Sequence, residues 1–123
     1  MKFCTAINCM DGRIQIPVIN YLKKKFNSDV VDMITEAGPN RVLAEQSNQD
    51  LVNSIFARIK ISVEKHDSKQ IAVIGHFDCA GNPSDMEKQI EDTLKAVDFI
   101  RTKMKNVEVI GLWVDKNWDV IKI

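Results

Sequence analysis

The sequence has no net charge to offer a partner: 17 acidic and 17 basic residues cancel to a formal +0 at pH 7. It carries no net field to recruit nucleic acid or an anionic membrane, and neither is expected as a partner. The one basic cluster, Lys23-Lys24-Lys25, reads as the solvated face of a helix. No apolar run reaches the ~20 residues needed to cross a bilayer, and no secretory signal pattern opens the chain. A soluble, cytoplasmic protein is therefore expected. Cysteine is scarce: three residues, an odd number, exclude a closed disulfide framework in a reducing compartment and leave metal binding or thiol chemistry. Repeats, low-complexity tracts and linkers are missing too, and 123 residues suit one domain, spanning 1–123.

What is present is an alternation of apolar runs with helical patterns. Phe3 to Asn8 reads as a first strand, apolar enough to be covered on both faces. Met10 to Gln15 is expected as a loop, and a helix should begin at Pro17, with Val18, Ile19, Leu22 and Phe26 on its buried stripe. Val30 to Ile34 is a second strand, and Glu36 to Arg41 a loop leaving the same end of the sheet as the loop after Cys9. A helix from Ser47-Asn48-Gln49-Asp50 presents Leu51, Val52, Ile55, Phe56, Ile59 and Val63. Ile71 to Ile74 is a third strand. Ser84 and Glu87 have capping-box spacing for a helix turning Met86, Ile90, Leu94, Val97, Ile100 and Met104 inward. Val107 to Val114 is a fourth strand, and Trp118 to Ile123 returns as an antiparallel edge. The result is a three-layer α/β fold, its mostly parallel central sheet ordered 2-1-3-4 plus the antiparallel C-terminal strand.

In that order the first and third strands are neighbours at the point where the chain reverses, so a crevice opens at their carboxyl ends. Cys9 lies at one strand end, and His76 and Cys79 at the other. One imidazole and two thiolates suit zinc, and three protein ligands leave one position for water, the pattern of a catalytic site. Zinc brings the pKa of such a water to roughly 7, giving a nucleophile for a small electrophilic carbon. Cys4 is the spare thiol, expected to be a small buried hydrophobe. Asp11 and Arg13 follow Cys9 by two and four residues. A carboxylate taken in a bidentate pair by arginine cannot also coordinate metal, so the two form a gate on the fourth position. Taken alone, each feature has a plainer meaning: a loop histidine, a buried thiol, an exposed ion pair worth ~0–1 kcal/mol.

At these residues the chain resembles the β-class carbonic anhydrases. Their Cys-x-Asp-x-Arg and His-x-x-Cys motifs appear as Cys9-Met10-Asp11-Gly12-Arg13 and His76-Phe77-Asp78-Cys79. Ile34 to Asn40 is similar to the family's Arg-Asn-Ala-Gly-Asn loop, Ile71 to Gly75 to the strand before its histidine, and Gly111 to Asp115 to its penultimate strand. The resemblance implies that Cys9, His76 and Cys79 ligate Zn2+ and that Asp11 and Arg13 form the metal-gating dyad. It implies hydration of carbon dioxide to bicarbonate, or attack on carbonyl sulfide or carbon disulfide, in a homodimer or higher homo-oligomer. The chain departs from the family in starting at the first strand, without the helical arm and its glutamine. Gly12 stands for the usual serine, Ala80 for the glycine after the last ligand, and Thr35 or Glu36 for the loop arginine. Two other classes fit the same residues: a zinc-binding module without turnover, and a metal-free redox pair of Cys9 and Cys79.

Overall fold

The computed structural model describes residues 1–123. Three strands are buried along almost their whole length: β1 (Phe3–Cys9), β3 (Gln70–His76) and β4 (Glu108–Val114). Both faces of a central parallel strand are covered by helices, which is why these runs are continuously apolar rather than alternating. The edge strand β2 (Val30–Glu36) is only half-buried, and β5 (Val120–Lys122) is short and largely exposed. The sheet order is β2-β1-β3-β4-β5, all parallel except the antiparallel β4–β5 pair.

Strand alternation divides the core in two. Cys4, Ala6, Ala72 and Ile74 point to the face covered by α1 (Gly12–Lys25) through Ile14, Val18 and Leu22. Ile7, Ile71 and Val73 point to the opposite face, covered by α2 (Pro39–Glu45), α3 (Gln49–Lys60) and α4 (Met86–Lys103). Fully burying each of Ile14, Val18 and Leu22 contributes about 1.5–3 kcal/mol.

Four local expectations are corrected. The first helix begins at Gly12 rather than Pro17, because the Asp11 carboxylate caps it by accepting the Arg13 N–H at 2.9 Å. Ile14 then starts the stripe, Ile14-Val18-Leu22-Phe26, and Pro17 lies inside the helix, forgoing one intrahelical bond. The loop after β2 contains α2, with Pro39 in its first turn following left-handed Gly38 (φ +60°). The cap of α4 is Asp85 rather than Ser84, its carboxylate accepting the Lys88 N–H at 2.9 Å. The buried face of α4 is also rotated: Val97 and Ile100 do point inward, but Met86 (57%) and Leu94 (42%) are exposed while Gln89, Asp92 and Thr93 are buried. That half of the helix packs over polar groups at the end of β3, so polar residues are inside.

The hydrogen-bond ladders show where the sheet opens. β1 pairs with β2 as far as Cys9 opposite Glu36, and β3 with β4 as far as His76 opposite Val114. Between β1 and β3 the ladder stops at Ile7 opposite Val73. The two central strands thus diverge ahead of Cys9, and the chain leaves them in opposite directions.

Candidate metal centre

Cys9 is the last residue of β1 and His76 the last of β3. Past His76 the chain reverses in a tight turn with Asp78 left-handed (φ 57°), a conformation aspartate tolerates, and this brings Cys79 back towards the imidazole. The two sulfurs are 3.8 Å apart, and the three donor atoms all lie within 4.8 Å of one another, each residue buried. Two thiolates at ~2.3 Å from one tetrahedral ion subtend about 3.8 Å, so the pair is spaced for a shared zinc. A disulfide needs roughly 2.05 Å.

The imidazole is set for the same task. Its Nδ1 lies 2.8 Å from the Phe77 carbonyl, an acceptor only, so Nδ1 carries the proton and Nε2 the lone pair. That buried Nε2 has no hydrogen-bond partner. An orphaned imidazole nitrogen beside two thiols is what a metal ligand looks like without its ion, and the donor set fits zinc.

Hydrogen bonding and charge couple the three donors. The Cys79 S–H donates to Cys9 and, against the opposing effect of burial, holds the Cys9 thiol well below the ordinary thiol range; the backbone N–H groups of Gly38 and Asp11 assist. Cys79 is pushed up by the same contact and by burial. Burial works against charging His76, but the neighbouring Cys9 and the Phe77 carbonyl outweigh it and raise its pKa.

The loops round the cluster interlock through glycine. A Cβ on Gly81 would sit 2.3 Å from the Ala37 carbonyl carbon, and one on Gly38 2.5 Å from that of Gly81. Only two bare backbones approach so closely. The Asn82 N–H donates to the Cys79 sulfur at 3.3 Å, and the Gln15 carboxamide donates to the carbonyls of Cys9 (2.8 Å) and Asp11 (2.7 Å).

Asp11 and Arg13 form a forked pair: Nη2 donates to Oδ2 at 2.7 Å and Nε to Oδ1 at 3.0 Å. Arg13 holds the Asp11 carboxyl down at about 2, although partial burial opposes this. The guanidinium also donates to Asp78, through Nη1 to Oδ2 at 3.2 Å and Nη2 to the backbone carbonyl at 3.0 Å, and lies 4.8 Å from the Trp118 ring centroid. The loops after β1, β3 and β4 thus meet on one arginine. Asp11, Arg13, Asp78, Cys79, Ala80, Pro83 and Ser84 line a cleft of ≈ 350 Å³.

Residues 1–123 match the family model described as "Putative carbonic anhydrase". The chain belongs to this carbonic anhydrase family. Among solved structures it is similar to a carbonic anhydrase from Streptococcus mutans, at 17% identity and TM-score 0.60, over 97% of this chain and 80% of that one. For the carbonic anhydrase of Glaciozyma antarctica the values are 17%, 0.61, 96% and 80%. For a tetrameric β-carbonic anhydrase of Sordaria macrospora they are 15%, 0.59, 99% and 80%. At such identities the likeness is one of fold, and the five-stranded, mostly parallel sheet with its antiparallel edge is the β-carbonic anhydrase architecture. No match is found among curated proteins.

In this carbonic anhydrase fold all five residues singled out from the sequence lie at one end of the sheet: Cys9, His76 and Cys79 as a cluster, Asp11 and Arg13 beside it. The loop after β2 reaches them through Gly38, whereas Glu36 turns to Arg58 at 3.3 Å. Asp78, Trp118 and Gln15 were not singled out as site residues. Asp78 lies inside the His-x-x-Cys motif, yet nothing local names a partner 65 positions away. No helix is long and apolar enough to cross a membrane.

Proposed function

We propose that this chain is a zinc-dependent carbonic anhydrase that hydrates carbon dioxide to bicarbonate or attacks a related small electrophile such as carbonyl sulfide or carbon disulfide. The observation that carries the reading is the buried His76 Nε2, without a partner, beside two sulfurs at zinc spacing. Cys9, His76 and Cys79 are the residues that would hold the ion. Zinc, when bound, supplies the acidity that makes water a nucleophile near neutral pH.

The chain's own residues do the rest. With both carboxylate oxygens taken by the Arg13 fork, Asp11 is kept beside the cluster as a hydrogen-bond acceptor and off the metal. A carboxylate held at about 2 is a weak base at neutral pH. Asp11 therefore orients a water by accepting its hydrogen bond rather than by taking its proton. Asp78 and Trp118 hold the far side of Arg13, so that the guanidinium faces Asp11.

The test is stopped-flow carbon dioxide hydration by the purified protein, across about pH 7 to 9 to span the titration of such a water, with metal content measured alongside. The proposal expects turnover that is lost in Asp11→Ala and in Cys79→Ala. Turnover surviving both substitutions would place the chemistry elsewhere. Zinc bound without turnover would leave a non-catalytic zinc module of the same fold. The proposal extends to a homo-oligomer; sedimentation as a monomer at working concentration would exclude it.

A further inference from the structure

The N–H of Phe77 bonds to the Val114 carbonyl on the β4 side. Backbone polar groups alternate sides along a strand, so the N–H and C=O of His76 face the other way, towards β1. The β1–β3 ladder ended at Val73, so no strand is there to receive them. Both groups are nevertheless satisfied, by one side chain. Gln89, 1% exposed on the first half of α4, donates from Nε2 to the His76 carbonyl at 2.8 Å and accepts the His76 N–H on Oε1 at 3.3 Å.

Its carboxamide therefore stands in for the missing strand. Gln89 is itself held from behind, its Oε1 by the Asn40 amide at 3.4 Å and its backbone carbonyl by the Thr93 hydroxyl at 2.8 Å. The layer packs directly on β3: a Cβ on Gly75 would meet the Thr93 hydroxyl at 2.8 Å and the Gln89 Oε1 at 3.4 Å. Two restraints then set the imidazole. The Phe77 carbonyl fixes the ring's proton on Nδ1, and Gln89 fixes the peptide from which the ring hangs.

We propose that Gln89 is a positioning residue for the metal centre, gripping both polar groups of the His76 peptide where the sheet has opened and so fixing the direction of Nε2. This rests on the zinc reading above. Groups that orient a metal-ligating histidine typically contribute about 10- to 100-fold in metal affinity.

The experiment measures zinc affinity by competition with a chromophoric chelator and the visible spectrum of the cobalt(II)-loaded protein. Wild type is compared with Gln89→Met, Gln89→Glu and Ser68→Ala, and thermal unfolding is recorded for each. Gln89→Met is expected to bind zinc about 10- to 100-fold more weakly and to alter the cobalt spectrum. Ser68→Ala, which removes a buried hydroxyl bonded to Thr5 ahead of the other end of β3 and outside the Gln89 network, is expected to keep wild-type affinity and spectrum even where it lowers the unfolding temperature. Gln89→Glu keeps the acceptor and loses the donor, so it should fall between; it carries the test if Gln89→Met does not fold. Wild-type affinity and spectrum in the folded Gln89 variants overturn the inference, as does an equal loss in Ser68→Ala. A wild-type protein that takes up no zinc overturns the metal reading first and this inference with it.

Discussion

Replacing Gly81 with alanine probes the contact that sets the distance between the metal-site loops. The added Cβ would lie 2.3 Å from the carbonyl carbon of Ala37, 2.5 Å from the nitrogen of Gly38 and 2.7 Å from the Ala37 oxygen. Carbon contacts relax at about 3.5–4.0 Å, so the loops must separate by about 1 Å or more. The obstacle is backbone, not a side-chain tip that can swing away. It is anchored, too: the Met10 N–H holds the Glu36 carbonyl at 2.8 Å, and the Gly38 carbonyl accepts from Arg41 at 3.1 Å. Overpacking of this kind costs about 1–3 kcal/mol, and rigid surroundings put Gly81→Ala at the upper end. At about 0.05–0.15 kcal/mol per residue this chain has roughly 6–18 kcal/mol of stability, so the variant should fold but melt about 10 °C lower. Because Cys79 is two residues from Gly81, the opening should also draw its sulfur from Cys9 and weaken zinc binding. Gly12→Ala is the control. Nothing lies within 4 Å of its Cβ position and it is the first residue of α1, so alanine should stabilise by about 0.4–1 kcal/mol. Urea unfolding by circular dichroism and a chelator competition read both quantities. A Gly81→Ala protein with wild-type stability and zinc affinity would refute the close approach on which this reasoning stands.

Other outcomes follow from the same geometry. The Asp11 carboxyl, held at about 2 in the fold against an ordinary 3.8, contributes stability that is fully present above about pH 4 and is lost as pH falls through 2. Arg13 is 44% exposed, so solvent screening reduces the contribution to about 1 kcal/mol; the urea-unfolding gap between wild type and Asp11→Asn should narrow as pH falls from 5 to 2, where the folded carboxyl is half protonated, and a gap unchanged between those values contradicts the assignment. Zinc at a hundred times its dissociation constant should raise stability by about 2.7 kcal/mol. Thermal unfolding should show no such gain in Cys9→Ser or Cys79→Ser. Asp78 is 68% exposed, so Asp78→Asn should unfold within about 0.5 kcal/mol of wild type, and a larger loss in urea would show its contact with Arg13 to be stronger than a surface pair.

The sheet order was legible because few topologies let short right-handed crossovers join four apolar runs, and the positions of Cys9 and His76 at strand ends followed from where those runs stop. The start of α1 was not. Pro17 is a strong local signal for a first turn, but Asp11 offered a cap one turn earlier and Ile14 completed a stripe whose value depends on the sheet beneath it. The same is true of α4: Met86, Ile90 and Leu94 have good helical spacing, yet Gln89, Asp92 and Thr93 are inside because the layer below is polar.

By itself the sequence determined what local chemistry and periodicity can determine: the α/β alternation, the donor types of the cluster, and the aspartate and arginine beside it. Only the tertiary structure decided that the β1–β3 ladder stops at Val73, that two glycine backbones touch, that Arg13 meets Asp78 and Trp118, and that Gln89 bonds a peptide thirteen residues away. The physical reason is that a buried polar group takes whichever partner the fold brings within about 3 Å, and that partner is fixed by packing between elements rather than by spacing along the chain.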